Sequence, residues 1–395
     1  MPCSSEPQLA CTERRAATPG VAACPPLRLP ALAPFAAYAG REGLRRLRDL
    51  AVETGRKLIG TACGLVPEEL LLASGALPVR LCGGEPPDPA AGLPRDICPV
   101  AAAALWPLRE GLVDAALLPL SCDWKAHLAD LAATEVPVLR LSLPRDAALP
   151  LAADELRRLA LELADLTDVA LTRGGYAEAR RQVAEADEAL RQLQAARAGL
   201  LAEEALLVQD SRLRADPLRW AEAVRALLVE LSAQPSAPLA HAPRVLLAGS
   251  PIIYPNTKVP RLLEESGAVV AGEAFCGRSE VLLAATSAPA NGDPCAEMAR
   301  RLQARCACGL GGRPAGGWDA VLRSAEAFGA DGVVVHVLKG CAPFHADAAR
   351  LAAALRAAGR PALVLETDHG SEDVEGLRTR VETFVRMMEA RKEAL

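Results

Sequence analysis

Residues 112–144 read LVDAALLPLSCDWKAHLADLAATEVPVLRLSLP. The apolar run 112–120 has the length and composition of a strand buried on both faces. CDWKAHLADLAAT, residues 122–134, carries helical spacing, and VPVLRLSLP, residues 136–144, returns to strand. Strands alternating with helices of about 10–15 residues predict a parallel sheet covered by helices on both faces.

Working upstream, CPVAAAALWPLREG (98–111) reads as helix, CGGEPPDPAAGLPRD (82–96) as a Pro/Gly loop, LPVRL (77–81) as strand and PEELLLASGA (67–76) as helix. REGLRRLRDLAVETGRKLIG (41–60) shows helical spacing of Leu and Val along its length. Downstream, DELRRLALELADL (154–166) and the long run 177–209 are Ala/Leu-rich, charged and helical, with the charge runs read as solvated faces. SAQPSAPLAHAP (232–243) is a linker by composition. The alternation then resumes from RVLLAGSP (244–251), through GVVVHVLKG (332–340), to PALVLET (361–367) and a closing helix. The expected organisation is a flexible N-terminal arm (1–33), a first α/β domain (34–150), a helical insertion and linker (151–242) and a second α/β domain (243–395).

A chain of 395 residues has room for two or three domains. A net charge of −5 without a basic concentration, and 3% aromatic residues, argue against nucleic-acid binding. No apolar run reaches the ~18 residues of a membrane span. The first residues, MPCSSEPQLACTERRAATPG, lack a charged start followed by an apolar block, so no export signal and a cytoplasmic location are expected. Twelve cysteines are many for such a chain. In a reducing compartment they point to metal or redox chemistry, with buried thiols acting as small hydrophobes as the competing explanation.

Position separates the cysteines. Cys122 follows a strand and opens a helix, Cys341 does the same after GVVVHVLKG, and Cys63 lies in GTACGLVPEEL ahead of Pro67. In open α/β sheets ligands bind beyond the carboxyl ends of the strands. A helix N-terminus there favours the thiolate, the metal-binding form, and its N–H groups can hydrogen-bond sulfur. Three such thiols can converge on an iron–sulfur cluster with one iron left open. Zinc remains a rival, although no C-x2-C pair is present. Cys98, Cys276 and the Cys306/Cys308 pair are secondary candidates, while Cys82 and Cys295 read as structural and Cys3, Cys11 and Cys24 as incidental. Asp368 and His369 follow a strand and suit either a site or a loop cap. Lys125 and Lys339 suit either charge compensation beside the thiols or plain surface positions. His127, His336 and His345 flank the cysteine segments, and His345 near Cys341 suits either a proton donor or an ordinary solvent-facing position. There is no G-x-x-x-x-G-K-[ST], no G-x-G-x-x-G after a strand and no G-x-S-x-G, so a P-loop, a dinucleotide site and an esterase elbow are unsupported.

Taken in order, TACGLVPEELLLASGALPVRL (61–81), DICPVAAAALWPLREGLVDAALLPLSCDWK (96–125), VLLAGSPI (245–252), LLEESGAVV (262–270), GEAFCGR (272–278), GADGVVVHVLKGCAPF (329–344) and the tail 361–389 resemble the 2-hydroxyacyl-CoA dehydratase and benzoyl-CoA reductase superfamily. The resemblance implies an α/β fold of two Rossmann-like parallel-sheet domains joined by a helical insertion. It also implies a [4Fe–4S] cluster on Cys63, Cys122 and Cys341, an acyl-CoA substrate, and a homologous second subunit or a homodimer. A separate ATP-hydrolysing iron–sulfur activator would supply a low-potential electron; in the dehydratases that electron turns the thioester into a ketyl radical and releases the hydroxyl. A close relative, the double-cubane-cluster proteins, implies an [8Fe–9S] cluster with Cys98, Cys276 and Cys308 as further ligands and a small-molecule reductase activity. A non-catalytic electron-transfer subunit is a third expectation. The segment around GEAFCGRSE is shorter than in the family, which bears on the substrate pocket more than on the cluster.

Overall fold

The structure, a computed structural model, describes residues 27–83, 93, 97–143, 149–233, 241–275, 292–305 and 317–394. It is an α/β fold built on two four-stranded, all-parallel sheets. Ahead of the first sheet come α1 (Ala33–Tyr38) and α2 (Gly40–Glu53). The sheet itself alternates β1 (Leu58–Thr61), α3 (Glu68–Ala73), β2 (Leu77–Arg80), α4 (Pro99–Arg109), β3 (Ala115–Pro119), α5 (Asp123–Ala132) and β4 (Val138–Leu141). Four helices then run between the sheets: α6 (Leu149–Thr167), α7 (Arg173–Ala195), α8 (Ala202–Ser211) and α9 (Pro217–Ser232). The second sheet follows as β5 (Arg244–Gly249), α10 (Lys258–Glu265), β6 (Val269–Phe275), α11 (Pro294–Arg305), α12 (Gly317–Ala327), β7 (Gly332–Leu338), α13 (Ala342–Ala357), β8 (Ala362–Thr367) and α14 (Val374–Glu393). Among the described residues no helix is long and apolar enough to cross a membrane.

The strand orders are β2-β1-β3-β4 and β6-β5-β7-β8. Each sheet therefore reverses direction between its two central strands, β1 and β3 in one and β5 and β7 in the other. Those reversals are the crevices where open sheets bind ligands. Both central pairs are buried on both faces because helices cover both. Ile59 and Leu117 pack with Leu156 and Leu159 of α6, while Leu58 and Leu118 face Leu44 of α2 and Leu105 of α4. In the second sheet Val245 and Leu247 meet Phe384 and Val385 of α14, and Val333 and Val335 meet Leu351 and Leu355 of α13. Each such aliphatic side chain contributes roughly 1.5–3 kcal/mol of burial.

Two sequence expectations are corrected. The helical reading of 41–60 fails at Glu53, because Gly55 takes φ +65° and closes the helix. Arg56 N–H bonds Ala51 O at 2.9 Å and Gly55 N–H bonds Val52 O at 3.1 Å, a Schellman end. The rest of that stretch supplies β1, whose residues are all buried and so carry no alternation. The long helical run 177–209 also breaks, between Ala195 and Ala202. There Arg197 turns inward, donates to Leu200 O at 2.9 Å and pairs with Glu273 at 3.4 Å, and α8 is buried along nearly its whole length. The expected solvated face is therefore interior at this point.

Residues 1–26 of the expected arm, and 234–240 of the expected linker, lie outside the described residues. Leu29, Leu32 and Phe35 are buried against the helical layer, where Phe35 meets Trp220 edge-on at 6.4 Å.

Candidate metal centre

The thiols of four loop-to-helix junctions come together at the carboxyl ends of the central strands. Cys63 follows β1, and Val66 N–H bonds its carbonyl to make a turn ahead of α3. Cys122 follows β3 and is the N-cap of α5, and Cys341 follows β7 and is the N-cap of α13. Cys122 and Cys341 occupy equivalent places in the two sheets, each three residues past its strand. Cys98 caps α4. Backbone N–H groups of the first helical turns reach the sulfurs: Lys125 to Cys122, Phe344 to Cys341, and Val100 and Ala101 to Cys98. The sequence does not bring β7 next to β1 and β3; the meeting of the two sheets does.

The thiols sense one another. Burial pushes Cys122 up, Cys341 and Cys63 add to that shift, and the Lys125 ammonium opposes it. Cys341 and Cys98 share a hydrogen bond that holds Cys98 low and Cys341 high, so the Cys341 S–H donates toward Cys98. All four are partly exposed and none is in a disulfide, whereas Cys82 and Cys295 are buried and pushed by that burial to about 11. Metal binding selects thiolates, and an all-sulfur donor set with N–H groups at its sulfurs suits an iron–sulfur cluster. Among the described residues no three His, Cys, Asp or Glu groups are gathered tightly enough for a single metal ion. The thiols form a basin, not a preformed mononuclear site. Cys276, Cys306 and Cys308 lie outside the described residues.

A buried polar network backs Cys341. Ser250, directly after β5, hydrogen-bonds Cys341 with its side chain, and its Oγ accepts from Leu338 N–H at 3.1 Å. Its carbonyl lies 2.7 Å from His336 Nδ1, so that nitrogen carries the proton, and Nε2 at 2.7 Å accepts from the Thr367 hydroxyl. Gly249 makes this approach possible: at φ +101°, an added Cβ would lie 2.2 Å from His336 O. His336, which the sequence places only as flanking a cysteine segment, is 1% exposed. VVVHVL is a strand buried on both faces, so any residue within it is interior. Ser250 was missed altogether; the signal was its place after a central strand, matching that of Cys63.

Burial lowers His336 to about 4. The unfolded histidine titrates near 6.5, so on acidification the unfolded chain takes up the proton first. The contribution is fully present above about pH 6.5 and is lost as the pH falls toward 4, about 2 kcal/mol of it between pH 7 and pH 5. Burial pushes Glu264 up to about 7, which gives a slope of opposite sign. The informative quantity is therefore the wild type minus His336→Gln. In urea titrations that difference should shrink by about 2 kcal/mol between pH 7 and pH 5; a pH-independent difference would show that His336 is not held neutral.

Ion pairs knit the basin to its surroundings. Arg80 at the end of β2 pairs with Asp210 of α8 at 3.0 Å, and Asp210 accepts from Tyr254 N–H at 2.6 Å. One carboxylate thus ties the first sheet, the helical layer and the second sheet. Arg214 donates to Cys82 O at 2.9 Å. Asp368 accepts from Lys339 at 2.8 Å and from Gly370 N–H at 2.8 Å, so both residues serve the loop after β8. Lys125 donates to Ser121 at 2.9 Å while facing Cys122. His345 is exposed and stands 3.6 Å from Glu366, and His127 packs edge-on against Trp124.

The profile of the 2-hydroxyglutaryl-CoA dehydratase D-component family matches residues 63–388, a span that starts at Cys63 and includes Cys98, Cys122 and Cys341. YjiM of Escherichia coli strain K12, a chain named as a dehydratase subunit, is 25% identical over 387 residues, covering 91% of this chain and 98% of its own length.

Proposed function

Because the chain belongs to the 2-hydroxyglutaryl-CoA dehydratase D-component family, we propose that it is the iron–sulfur subunit of an acyl-CoA dehydratase, with a [4Fe–4S] cluster on Cys63, Cys122 and Cys341. The observation that carries this reading is the convergence of these thiols from the switch points of two sheets. When bound, the cluster would supply a low-potential electron to an acyl-CoA thioester. The chain's own residues do the rest. The N–H groups of α5 and α13 stabilise negative sulfur, Lys125 offsets its charge, and the Ser250–His336–Thr367 network fixes the backbone that presents Cys341. The absence of a P-loop fits delivery of that electron by a separate ATP-hydrolysing activator, and the D-component assignment fits work beside a second, homologous subunit.

Anaerobic preparation followed by iron and sulfide analysis tests the reading. About four irons and four sulfides per chain are expected. About eight irons would transfer the chain to the double-cubane class, with Cys276 and Cys308 as the ligands to examine. An iron-free chain would end both assignments.

A further inference from the structure

Between β6 and β7 of the second sheet, α11 leaves its own half of the molecule. Its Cys295, Met298 and Leu302 belong to the core of the first sheet, in one cluster with Leu70 of α3 and Leu163 of α6. Polar side chains cross the same seat. Arg301 pairs with Glu69 of α3 at 3.0 Å, Glu297 with Arg180 of α7 at 3.5 Å, and Asp293 with Arg157 of α6. Glu69, Glu297 and Tyr176 of α7 are only 3%, 4% and 5% exposed. These pairs leave three atoms over. Among the described residues Tyr176 Oη, Glu297 Oε2 and Arg301 Nη1 are buried and have no hydrogen-bond partner. Burial, with the Glu69 and Glu297 carboxylates beside it, pushes the Tyr176 hydroxyl up, so it keeps its proton. Buried groups of this kind are as a rule hydrogen-bonded, and a stranded one carries its full desolvation cost. Whatever satisfies them must accept from Arg301, donate to Glu297 and do either with Tyr176. Two carboxylates already balance two guanidinium groups, so an ion is not called for. Water meets all three demands, and an internal water typically makes about three hydrogen bonds. We propose that this seat is a binding site for internal water, bridging Tyr176, Glu297 and Arg301 and fastening α11 of the second half to α7. The second half of the chain is then held to the first by a wet contact inside an apolar core.

The test joins a high-resolution crystal structure of the whole chain to urea titrations of wild type, Tyr176→Phe, Arg301→Lys and the double variant. One ordered water should lie within hydrogen-bond distance of all three atoms. Tyr176→Phe should then raise the unfolding equilibrium constant roughly 2–10-fold, the effect of one lost hydrogen bond. Arg301→Lys keeps the charge that faces Glu69 and removes Nη1. Both changes act on the same water, so the double variant should lose less than the product of the single factors. A dry seat gives the opposite sign. Its hydroxyl is stranded, so Tyr176→Phe would stabilise the chain, and that result would overturn the inference. Single factors that simply multiply would overturn it as well. So would density showing the Tyr176 hydroxyl donating directly to Glu297 with no water between the helices. Should Arg301→Lys not fold, the crystal structure and the sign of the Tyr176→Phe change decide.

Discussion

Cys63→Ala, Cys122→Ala and Cys341→Ala should each leave the anaerobically prepared chain with almost no iron. The three thiols come from β1, β3 and β7, so no neighbour in sequence can stand in for a lost one. Losing a first ligand exceeds the roughly 10–100-fold loss of affinity typical when only an outer partner is removed. Cys82→Ala and Cys295→Ala should keep their iron, because both thiols are buried, and burial holds them protonated. Cys3→Ala and Cys11→Ala should keep theirs as well. Equal iron across all seven variants would refute the ligand assignment. Full iron in Cys63→Ala alone would shift it toward Cys98, Cys122 and Cys341.

Arg212→Met should lower the stability of the chain by about 3–5 kcal/mol, the usual result of stripping one partner from a buried ion pair. Arg212 sends two N–H groups to Glu68, at 2.8 Å to each oxygen, and its guanidinium lies 5.7 Å over the Trp220 ring. Burial alone pushes the Glu68 carboxyl up, and Arg212 is what opposes that. Glu68 opens α3, so the pair anchors the helix that follows the Cys63 loop to the helical layer. The double variant Glu68→Leu with Arg212→Met should recover much of the loss, since an apolar pair removes the stranded charge. In urea the midpoint should fall with the slope unchanged. A cost below about 1 kcal/mol would mean that water reaches Glu68 in place of Arg212.

Such pairs were the least legible part of the sequence. Arg197 sits in a run that reads as solvated helix and Arg80 in one that reads as strand, yet both, like Arg212 and Arg214, are buried or nearly so, because the partner comes from a distant element. Local patterning carries no trace of a partner 144 residues away, as Glu68 is from Arg212. The parallel sheets were readable because β3, β5, β7 and β8 are apolar runs set between helices. β1 was not, being four residues long and placed directly after a helix whose end is marked only by Gly55. Thiols at helix starts were likewise visible in the sequence for Cys122, Cys341 and Cys98. Their meeting was not, since it depends on two sheets presenting their switch points to each other.

The central claim is that this chain carries an iron–sulfur cluster to which an acyl-CoA gains access. The most direct test is the EPR spectrum of the reduced, iron-loaded protein recorded with and without a saturating 2-hydroxyacyl-CoA. The cluster signal should shift in position or shape when the acyl-CoA is added and return when it is removed. An iron-loaded chain whose spectrum stays the same at saturating acyl-CoA would contradict the claim and point to a subunit that only passes electrons.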